Sequence, residues 1–257
     1  MRKNLIDVVF VPLFLLLVVF PVAALLLNLD GKGIERTLAD EMFWRSVVNT
    51  IFAALAAALL CTVLAAGFGY YHLFKQHSIV YKVANLLNDL PIALPHTVAG
   101  LALLLAFGRK NFGFIGETGL AFTLTAVVLA MFFVSYPLAA RAIASGVDRM
   151  EREVVDVART LGDTPAQAYF KVVLPVMGEA LFSGFVLAFS RSLSEFAAVV
   201  MFGGNLPGST QVLASYVFTK VEEGELEMAV TASAFCIMLS LLIVALLGLR
   251  RLKWRHA

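Results

Sequence analysis

Charged residues are scarce in this chain. Only 15% of its 257 residues are Asp, Glu, Lys or Arg, whereas an ordinary soluble domain has about 25%. Hydrophobic residues make up 60% of the chain, and the mean hydropathy is +0.87. The net charge of +2 is too small to indicate a nucleic-acid partner. This balance predicts a polytopic membrane protein whose surface mostly contacts the lipid bilayer.

Cysteine and catalytic motifs are also sparse. Cys61 and Cys236 lie in separate apolar runs, so the sequence predicts neither a disulfide nor a CxxC metal site. It contains no HExxH motif, nucleophile elbow or paired catalytic carboxylates. His72 and His77 are spaced so that they do not share a helix face. We therefore expect no catalytic residue and no metal site.

A GxxxxGK[ST] phosphate loop is also missing from the sequence. This loop cradles nucleotide phosphates in many ATPases, so we expect the chain to bind no nucleotide cofactor. If ATP drives its activity, ATP and Mg²⁺ are used by a separate partner subunit.

Long apolar runs dominate what is present. A spanning helix needs about 20 mostly apolar residues, and six segments qualify: 5–29, 47–71, 86–107, 120–140, 176–202 and 228–249. The first is too long for the apolar region of a signal peptide and no small-x-small cleavage site follows it, so we interpret it as a retained helix. The predicted fold is all-α, with six transmembrane helices in a single domain over residues 1–257.

The third segment is irregular. Its stretch NDLPIALPHTVAG places Asp89, Pro91 and Pro95 near the start, and proline interrupts a helix. Irregular backbone at membrane depth needs protein or a water-filled cavity around it. Either this segment lies inside the bundle, or it is a loop and the helix begins only at Thr97.

Lys and Arg predict the orientation. Roughly twice as many of them fall on the side of both termini and of the segment 148–175 as on the other side, and such positive loops are cytoplasmic. We therefore expect a multi-pass protein of the cell membrane with both termini in the cytoplasm. The last external loop is acidic, with Glu222, Glu223, Glu225 and Glu227.

The polar segment 148–175 predicts two short cytoplasmic helices. In the first, apolar residues recur at helical spacing at Met150, Val154, Val157, Ala158 and Leu161. Gly162 then follows at the place where a left-handed helix end favours glycine.

The second helix has its own start signals. Thr164 is suited to cap it, Pro165 to occupy its first position, and Gln167 to complete a capping box. Tyr169 and Phe170 give this helix aromatic surface on the water side, and Pro175 is expected to end it. That surface needs a cover, either the protein's own cytoplasmic ends or the groove of a partner.

A resemblance bears on this choice. The segment DVARTLGDTPAQAYFKVVLP is similar to the EAA signature of permease subunits of type I ATP-binding-cassette (ABC) importers, in which an acidic residue, two small residues, a later glycine and a Leu-Pro pair mark the coupling helices. Asp here replaces the usual Glu, and Val replaces the first Ala. The resemblance implies that the segment grips an ATPase subunit through Asp156, Ala158, Gly162, Pro165, Tyr169, Phe170, Leu174 and Pro175.

The same resemblance implies partners. They are a second copy of this chain, two ATPase subunits and an extracytoplasmic substrate-binding protein. The homodimer also follows from counting, because one chain offers one coupling segment whereas an ATPase dimer presents two grooves.

The stretch RSLSEFAAVVMFGGN opens with an ionisable pair inside the fifth apolar segment. Arg191 and Glu195 are four apart, so they can pair on one helix face. Such a pair either locks helix packing or lies on the path of an anion, which Arg191, or backbone donors near Gly203 and Gly204, would line. We include Asn205 and Pro95 in this candidate pathway.

This stretch, with LPIALPHTVAG and LPGSTQVLASYVF, resembles the oxyanion branch of these permeases. That resemblance implies import of molybdate or tungstate, with sulfate or thiosulfate as the alternative. A secondary transporter or channel is the rival class, and its ion-coupled core should carry more intramembrane acids than Asp89 and Glu195.

Overall fold

The computed structural model describes residues 5–112 and 117–254. In this part of the chain the secondary structure is helical, with an isolated bridge between Gly108 and Gly119 and no β-strand. The α-helices are α1 (Leu5–Phe14), α2 (Phe20–Leu27), α3 (Gly31–Ala39), α4 (Glu41–Phe74), α5 (Ile79–Asn88), α6 (Leu90–Ala93), α7 (His96–Phe107), α8 (Arg109–Phe112), α9 (Leu124–Arg149), α10 (Arg152–Thr160), α11 (Pro165–Gln167), α12 (Leu174–Val176), α13 (Gly178–Leu193), α14 (Ala197–Gly203), α15 (Leu213–Glu222) and α16 (Leu226–Trp254). Two π-helical turns, Leu15–Val19 and Ala168–Val173, join α1 to α2 and α11 to α12.

The chain divides into two compact units. The terminal unit comprises Met1–Trp44 and Leu213–Ala257, and the central unit comprises Arg45–Val212. The prediction of a single domain over residues 1–257 stays a prediction.

Several helices are long and apolar enough to cross a bilayer. Among the described residues these are Val9–Leu27, Glu41–Phe74 and Leu124–Arg149. Two further spans qualify only as bent pairs, and α16 contributes the apolar stretch Leu226–Leu242. The predicted all-helical membrane fold is therefore confirmed, but the bounds of the third and fifth predicted spans are wrong.

The third predicted span, 86–107, is not one helix. Helices α5 and α6 are followed at Leu94 and Pro95 by a bend of 118° before α7. Proline at this position cannot continue the preceding helix. The new helix begins at His96, next to the alternative start at Thr97, but helices α5 and α6 occupy much of the expected loop. Asn88 and Pro91 are buried whereas Ile92 and Pro95 are exposed, so in a single subunit this segment lies only partly inside the bundle.

The fifth predicted span, 176–202, is also broken. Helix α13 ends at Leu193, and α14 starts at Ala197 after a short break. No proline or glycine lies in that break, so hydropathy alone gave no sign of it. The side chains that hold the break open are described with the site below.

Small residues hold the central unit together. Helices α9 and α13 approach so closely that a Cβ added at Gly146 would collide with Ala180, and one at Gly184 would lie 3.3 Å from the carbonyl oxygen of Ala139. Small residues allow such close helix contacts in membranes, where apolar burial gives little driving force. Ser192 on α13 and Ser135 on α9 are hydrogen-bonded across this contact, with their Oγ atoms 2.9 Å apart.

Aromatic rings that pack edge to face connect the helices of the terminal unit. The ring of Phe43 lies edge-on to Tyr216 at 5.7 Å and to Phe235 at 5.4 Å. Tyr216 donates its buried hydroxyl to Asp40 at 2.7 Å. These contacts join the start of α4 to α15 and α16.

An ion pair on the predicted external side of the same unit links α3 to the turn before α16. Arg36 lies 2.7 Å from Glu225, and its hydrogen bond holds the pKa of that carboxyl below its usual range. The pair therefore persists above the ordinary pKa of a glutamate and is lost as the pH falls through the lowered value.

The predicted helix hairpin is present, with tighter bounds. Helix α10 begins at Arg152. Met150 is the C-terminal cap of α9 and is not part of the new helix. Gly162 has φ +97°, which confirms the left-handed turn. Thr164 and Gln167 form the predicted capping box with Pro165 at the first position. The second helix runs on past Pro175 to Val176, because a proline in the first turn of a new helical segment is tolerated.

Tyr169 anchors the hairpin to the long helix α4. Its side chain is fully buried, and its hydroxyl donates to the carbonyl oxygen of Ala66 at 2.7 Å. The ring lies edge-on to Tyr70 at 5.7 Å. A Cβ added at Gly69 would collide with the Tyr169 hydroxyl and lie 2.8 Å from Cγ2 of Ile143. The prediction that Tyr169 faces water is therefore wrong, because the protein's own helix covers it.

We expect Gly69→Ala to destabilise the protein by about 1–3 kcal/mol, the usual cost of overpacking a filled site. Gly67→Ala is the matched control, because it lies in the same helix and a Cβ there meets nothing within 4 Å. Since alanine favours a helix over glycine by about 1 kcal/mol, the control should melt at or above the parent temperature. Thermal unfolding in detergent measures both variants.

The double variant Gly69→Ala/Tyr169→Phe checks the cause. Removing the hydroxyl removes the colliding atom, so the double variant should lose less than the sum of the two single losses. Equal melting of Gly69→Ala and Gly67→Ala would contradict this packing account.

Candidate functional site

Three ionisable side chains meet at the break between α13 and α14. Nη2 of Arg191 lies 2.9 Å from Oε2 of Glu195, so the two side chains pair as predicted, although Glu195 lies in the break rather than on α13. Nδ1 of His96, at the first position of α7, lies 3.1 Å from the same carboxylate oxygen. Nη2 of Arg191 also lies 2.8 Å from Nδ1 of His96. We call Arg191, Glu195 and His96 the charged cluster.

The two oxygens of Glu195 are both engaged. Oε2 faces Arg191 and His96, while Oε1 accepts a hydrogen bond of 2.9 Å from the backbone N–H of Ala198. The side chain is only 1% exposed. Arg191 lies in the last turn of α13 and Glu195 just before the first turn of α14, so each charge complements the dipole of the helix end beside it. Glu195 therefore holds three helix ends together.

The cluster lies beside the middle of helix α9. Ser192, next to Arg191, contacts Ser135, which is near the midpoint of α9. Helix α9 is long and apolar enough to cross a membrane, and the cluster lies beside the middle of this candidate span. An ionisable group at that depth is by default a functional candidate.

The open side of the cluster is positive. Arg191 is 24% exposed and His96 is 35% exposed, whereas the carboxylate is hidden behind them. Leu187 and Ser190 on α13, and Ser194 just after its end, are exposed at helical spacing around Arg191. This stripe faces away from the chain's own core and carries hydroxyl groups next to the guanidinium.

Sequence reasoning missed His96. Its signal was its position directly after Pro95, where a helix starts with its side chain close to whatever packs at that helix end. Pro95 itself is exposed and caps α7, so its place is at the bend rather than in the cluster.

Gly203, Gly204 and Asn205 lie away from the cluster. Gly203 ends α14, and Gly204 and Asn205 follow it, about 10 Å from the start of the helix at 1.5 Å per residue. The N–H of Gly204 donates to Val200 at 3.0 Å, so it ends the helix. A Cβ on Gly203 would lie 2.8 Å from Val127, which shows that helix packing requires this glycine.

The loop that follows these residues is held by hydrogen bonds to other parts of the central unit. Thr210 donates to the carbonyl oxygen of Gly203 at 2.6 Å, and Asn49 donates to Ser209 at 2.9 Å and to Gln211 at 3.1 Å. Gly203 and Gly204 therefore do not form one site with Arg191, because the N–H of Gly204 is used and the length of α14 separates them. That backbone donors near these glycines line the path of the anion stays a prediction.

The hairpin presents a second candidate surface. Val157, Leu161 and Phe170 are exposed, whereas Ala158 and Tyr169 are buried. The remaining predicted coupling residues Asp156, Gly162, Pro165, Leu174 and Pro175 are exposed or half-buried. A shallow groove beside Val157 and Leu161 is flanked by Glu151, Glu153 and Asp163. The exposed apolar residues, which we call the hairpin face, therefore lie next to acidic groups.

Comparison with known proteins identifies the family. Residues 62–253 match the family described as "Binding-protein-dependent transport system inner membrane component". The chain is 30% identical over 265 residues to the probable transport system permease protein NifC of Clostridium pasteurianum, covering 99% of this chain and 91% of that protein. It is 32% identical over 252 residues to the sulfate transport system permease protein CysT of Escherichia coli, covering 93% and 87%.

Solved structures agree on the fold. A bacterial alginate ABC transporter chain matches with a TM-score of 0.71 at 15% identity, covering 92% of this chain and 89% of that one. A chain of the MetNI methionine ABC transporter matches with a TM-score of 0.61 at 17% identity, covering 83% and 98%. With the fold, the family match and these relatives in agreement, this chain belongs to the inner membrane components of binding-protein-dependent transport systems, and it is a permease subunit of an ABC importer rather than an enzyme.

Proposed function

We propose that this permease carries a tetrahedral oxyanion across the membrane and that Arg191 and His96 contact the anion on its way. The observation that most supports this proposal is the charged cluster, whose exposed side is formed by the guanidinium of Arg191 and the imidazole of His96. Both groups donate hydrogen bonds to oxyanions, and Arg does so with a fixed fork. The exposed hydroxyl of Ser190 adds a neutral donor near them. The hydroxyl of Ser194 is already used, because it donates to the carbonyl oxygen of Arg191 at 3.0 Å and accepts from the guanidinium at 3.2 Å.

Burial of Glu195 supports this proposal. A glutamate open to the pathway would repel the anion that the arginine attracts. Here both carboxylate oxygens are engaged and the side chain is hidden, so its charge is balanced before any anion arrives. A paired arginine binds an anion weakly, which suits a transported ion that has to leave again.

Molybdate or tungstate is our first candidate, from the LPHTVAG form of the α7 start. Sulfate is the second candidate, and a specific observation favours it: the Escherichia coli and Salmonella typhimurium relatives, each 32% identical, are named sulfate permeases. The name of the Clostridium relative states no substrate.

The assembly follows from the hairpin and the family. We propose that both termini and the hairpin are cytoplasmic, and that the hairpin face binds an ATPase subunit, which supplies ATP and Mg²⁺ binding. Two copies of this chain would match two ATPase subunits. An extracytoplasmic binding protein would deliver the anion, in line with the alginate transporter, whose structure is a complex with a periplasmic protein.

Uptake into vesicles tests the substrate. We expect the permease, reconstituted with its ATPase and binding protein, to accumulate radiolabelled molybdate in an ATP-dependent way, with competition by tungstate and little by sulfate. Accumulation of sulfate instead would establish the second candidate. Absence of uptake of all three anions by an assembled, ATP-hydrolysing complex would contradict the oxyanion proposal.

The charged cluster is tested by a double substitution, Arg191→Met/Glu195→Gln. Glutamine keeps an acceptor for the Ala198 N–H, and losing both charges avoids leaving one buried and unpaired, which costs about 3–5 kcal/mol. We therefore expect normal assembly with ATPase but uptake reduced at least tenfold per assembled complex.

The single variant Arg191→Met is the matched comparison. It leaves the buried Glu195 with His96 alone, so we expect lower yield and a lower melting temperature than for the double variant. Near-normal uptake by the double variant would show that the pair only locks helix packing.

The hairpin face is tested by Phe170→Ala. Phe170 is half-exposed and stacks on Tyr70 at 6.5 Å, so its loss should leave the permease folded. We expect affinity for the ATPase to fall about tenfold or more, as for an aromatic anchor at an interface. Phe52→Ala is the control, because Phe52 is an equally exposed phenylalanine on the spanning helix α4. Equal ATPase binding by both variants in a pull-down titration would refute the docking assignment.

A further inference from the structure

Helix α5 carries an apolar surface that its own chain does not cover. Ile79, Val80, Val83, Leu86 and Leu87 are all exposed, and Leu86 reaches 77%. At 100° per residue these five positions fall within one arc about 120° wide. The helix is therefore amphipathic, with its apolar side turned outward.

The opposite side of α5 is tied to the central unit. The hydroxyl of Tyr81 lies 2.6 Å from Nδ1 of His72, whose Nε2 lies 2.7 Å from a carboxylate oxygen of Asp148. A neutral ring meets both partners by accepting at Nδ1 and donating at Nε2. His72 and Asp148 lie in the last turns of α4 and α9, so this contact fixes the start of α5 at the hairpin end of both spanning helices.

A second tether holds the other end of α5. Asp89 pairs with Arg141 through two contacts, 2.8 Å to Nη2 and 2.9 Å to Nε. The two tethers prevent α5 from rotating about its axis, so the apolar arc stays directed away from the protein.

The direction and the length of α5 both differ from those of a spanning helix. The axis of residues 79–93 is bent by 118° from that of α7, so the two segments cannot both follow the membrane normal. With 10 residues, α5 is about 15 Å long, half the thickness of a hydrocarbon core.

The charges beside the arc have one sign. Lys75 and Lys82 are exposed, and no acidic residue occurs in the sequence from Lys75 to Asn88. Lys82 and Asn85 lie to one side of the arc, where water would meet a helix lying in an interface. Basic residues next to an exposed apolar face are typical of helices that bind anionic membrane surfaces.

We propose that α5 is an in-plane membrane-surface helix, with its apolar arc in the acyl boundary of the leaflet at the hairpin end and Lys75 and Lys82 on anionic phospholipid headgroups. A second copy of this chain is a poorer occupant. In a two-fold symmetric dimer formed through this surface, the α5 helix of one copy would face the α5 helix of the other. It would place lysines of like charge close to each other with no acid from either α5 to balance them.

Spin labels on α5 test the orientation. Leu86→Cys and Asn85→Cys are labelled in the full chain with Cys61→Ala and Cys236→Ala, reconstituted in phosphatidylcholine and phosphatidylglycerol vesicles. We expect the label at 86 to collide with oxygen and to be shielded from a water-soluble nickel relaxant, while the label at 85 is open to nickel. A label at 86 that is immobile and shielded from both reagents would show a protein interface and overturn the proposal, and so would one fully open to nickel.

Lysine substitutions in the chain with its native cysteines give an independent readout. The measurement is the association of spin-labelled phosphatidylglycerol relative to phosphatidylcholine. Each basic residue near an anionic surface contributes about 1 kcal/mol, so the preference should fall about fivefold for Lys75→Gln and again for Lys82→Gln. Lys171→Gln removes the same charge from the hairpin and should change it little. Equal effects of all three variants would overturn the headgroup contact.

Discussion

The buried carboxylate of Glu195 is the interaction on which the central unit depends. One oxygen caps α14 through the N–H of Ala198, and the other joins Arg191 at the end of α13 to His96 at the start of α7. A carboxylate this deeply buried is tolerated only with full pairing, because the energy of desolvating it is otherwise unrecovered. The pairing keeps α13 and α14 apart as two helices and turns the positive side of the cluster outward. The proposed anion contact therefore depends on a negative charge that the anion never meets.

Local features could be predicted from the sequence. The turn at Gly162 and the capping box of Thr164 and Gln167 depend on residues within one or two turns of each other, so their chemistry is visible in the sequence itself. The pairing of Arg191 with Glu195 was predicted from their spacing of four residues, and it forms although the helix ends at Leu193 between them. The family resemblance drawn from the hairpin was confirmed by the match over residues 62–253.

Features that depend on distant partners could not be predicted. Tyr169 is buried by Ala66 and Gly69, which lie about a hundred residues away in the chain, so its aromatic character alone indicated an exposed docking residue. His96 joins the cluster only because the bend at Pro95 brings α7 to the end of α13. Hydropathy also merged α13 and α14 into one span, since the break is held by side-chain bonds rather than by a helix-breaking residue.

The most direct test of the central claim is to locate the anion in the assembled transporter. The complete complex with ATPase and binding protein would be trapped during transport with tungstate, or with selenate as the sulfate analogue, and the heavy atom found by its anomalous scattering. The account predicts an anion within hydrogen-bond distance of Arg191 or His96, with Glu195 still bonded to the Ala198 N–H. An anion that passes elsewhere, with the charged cluster closed and out of contact, would contradict it.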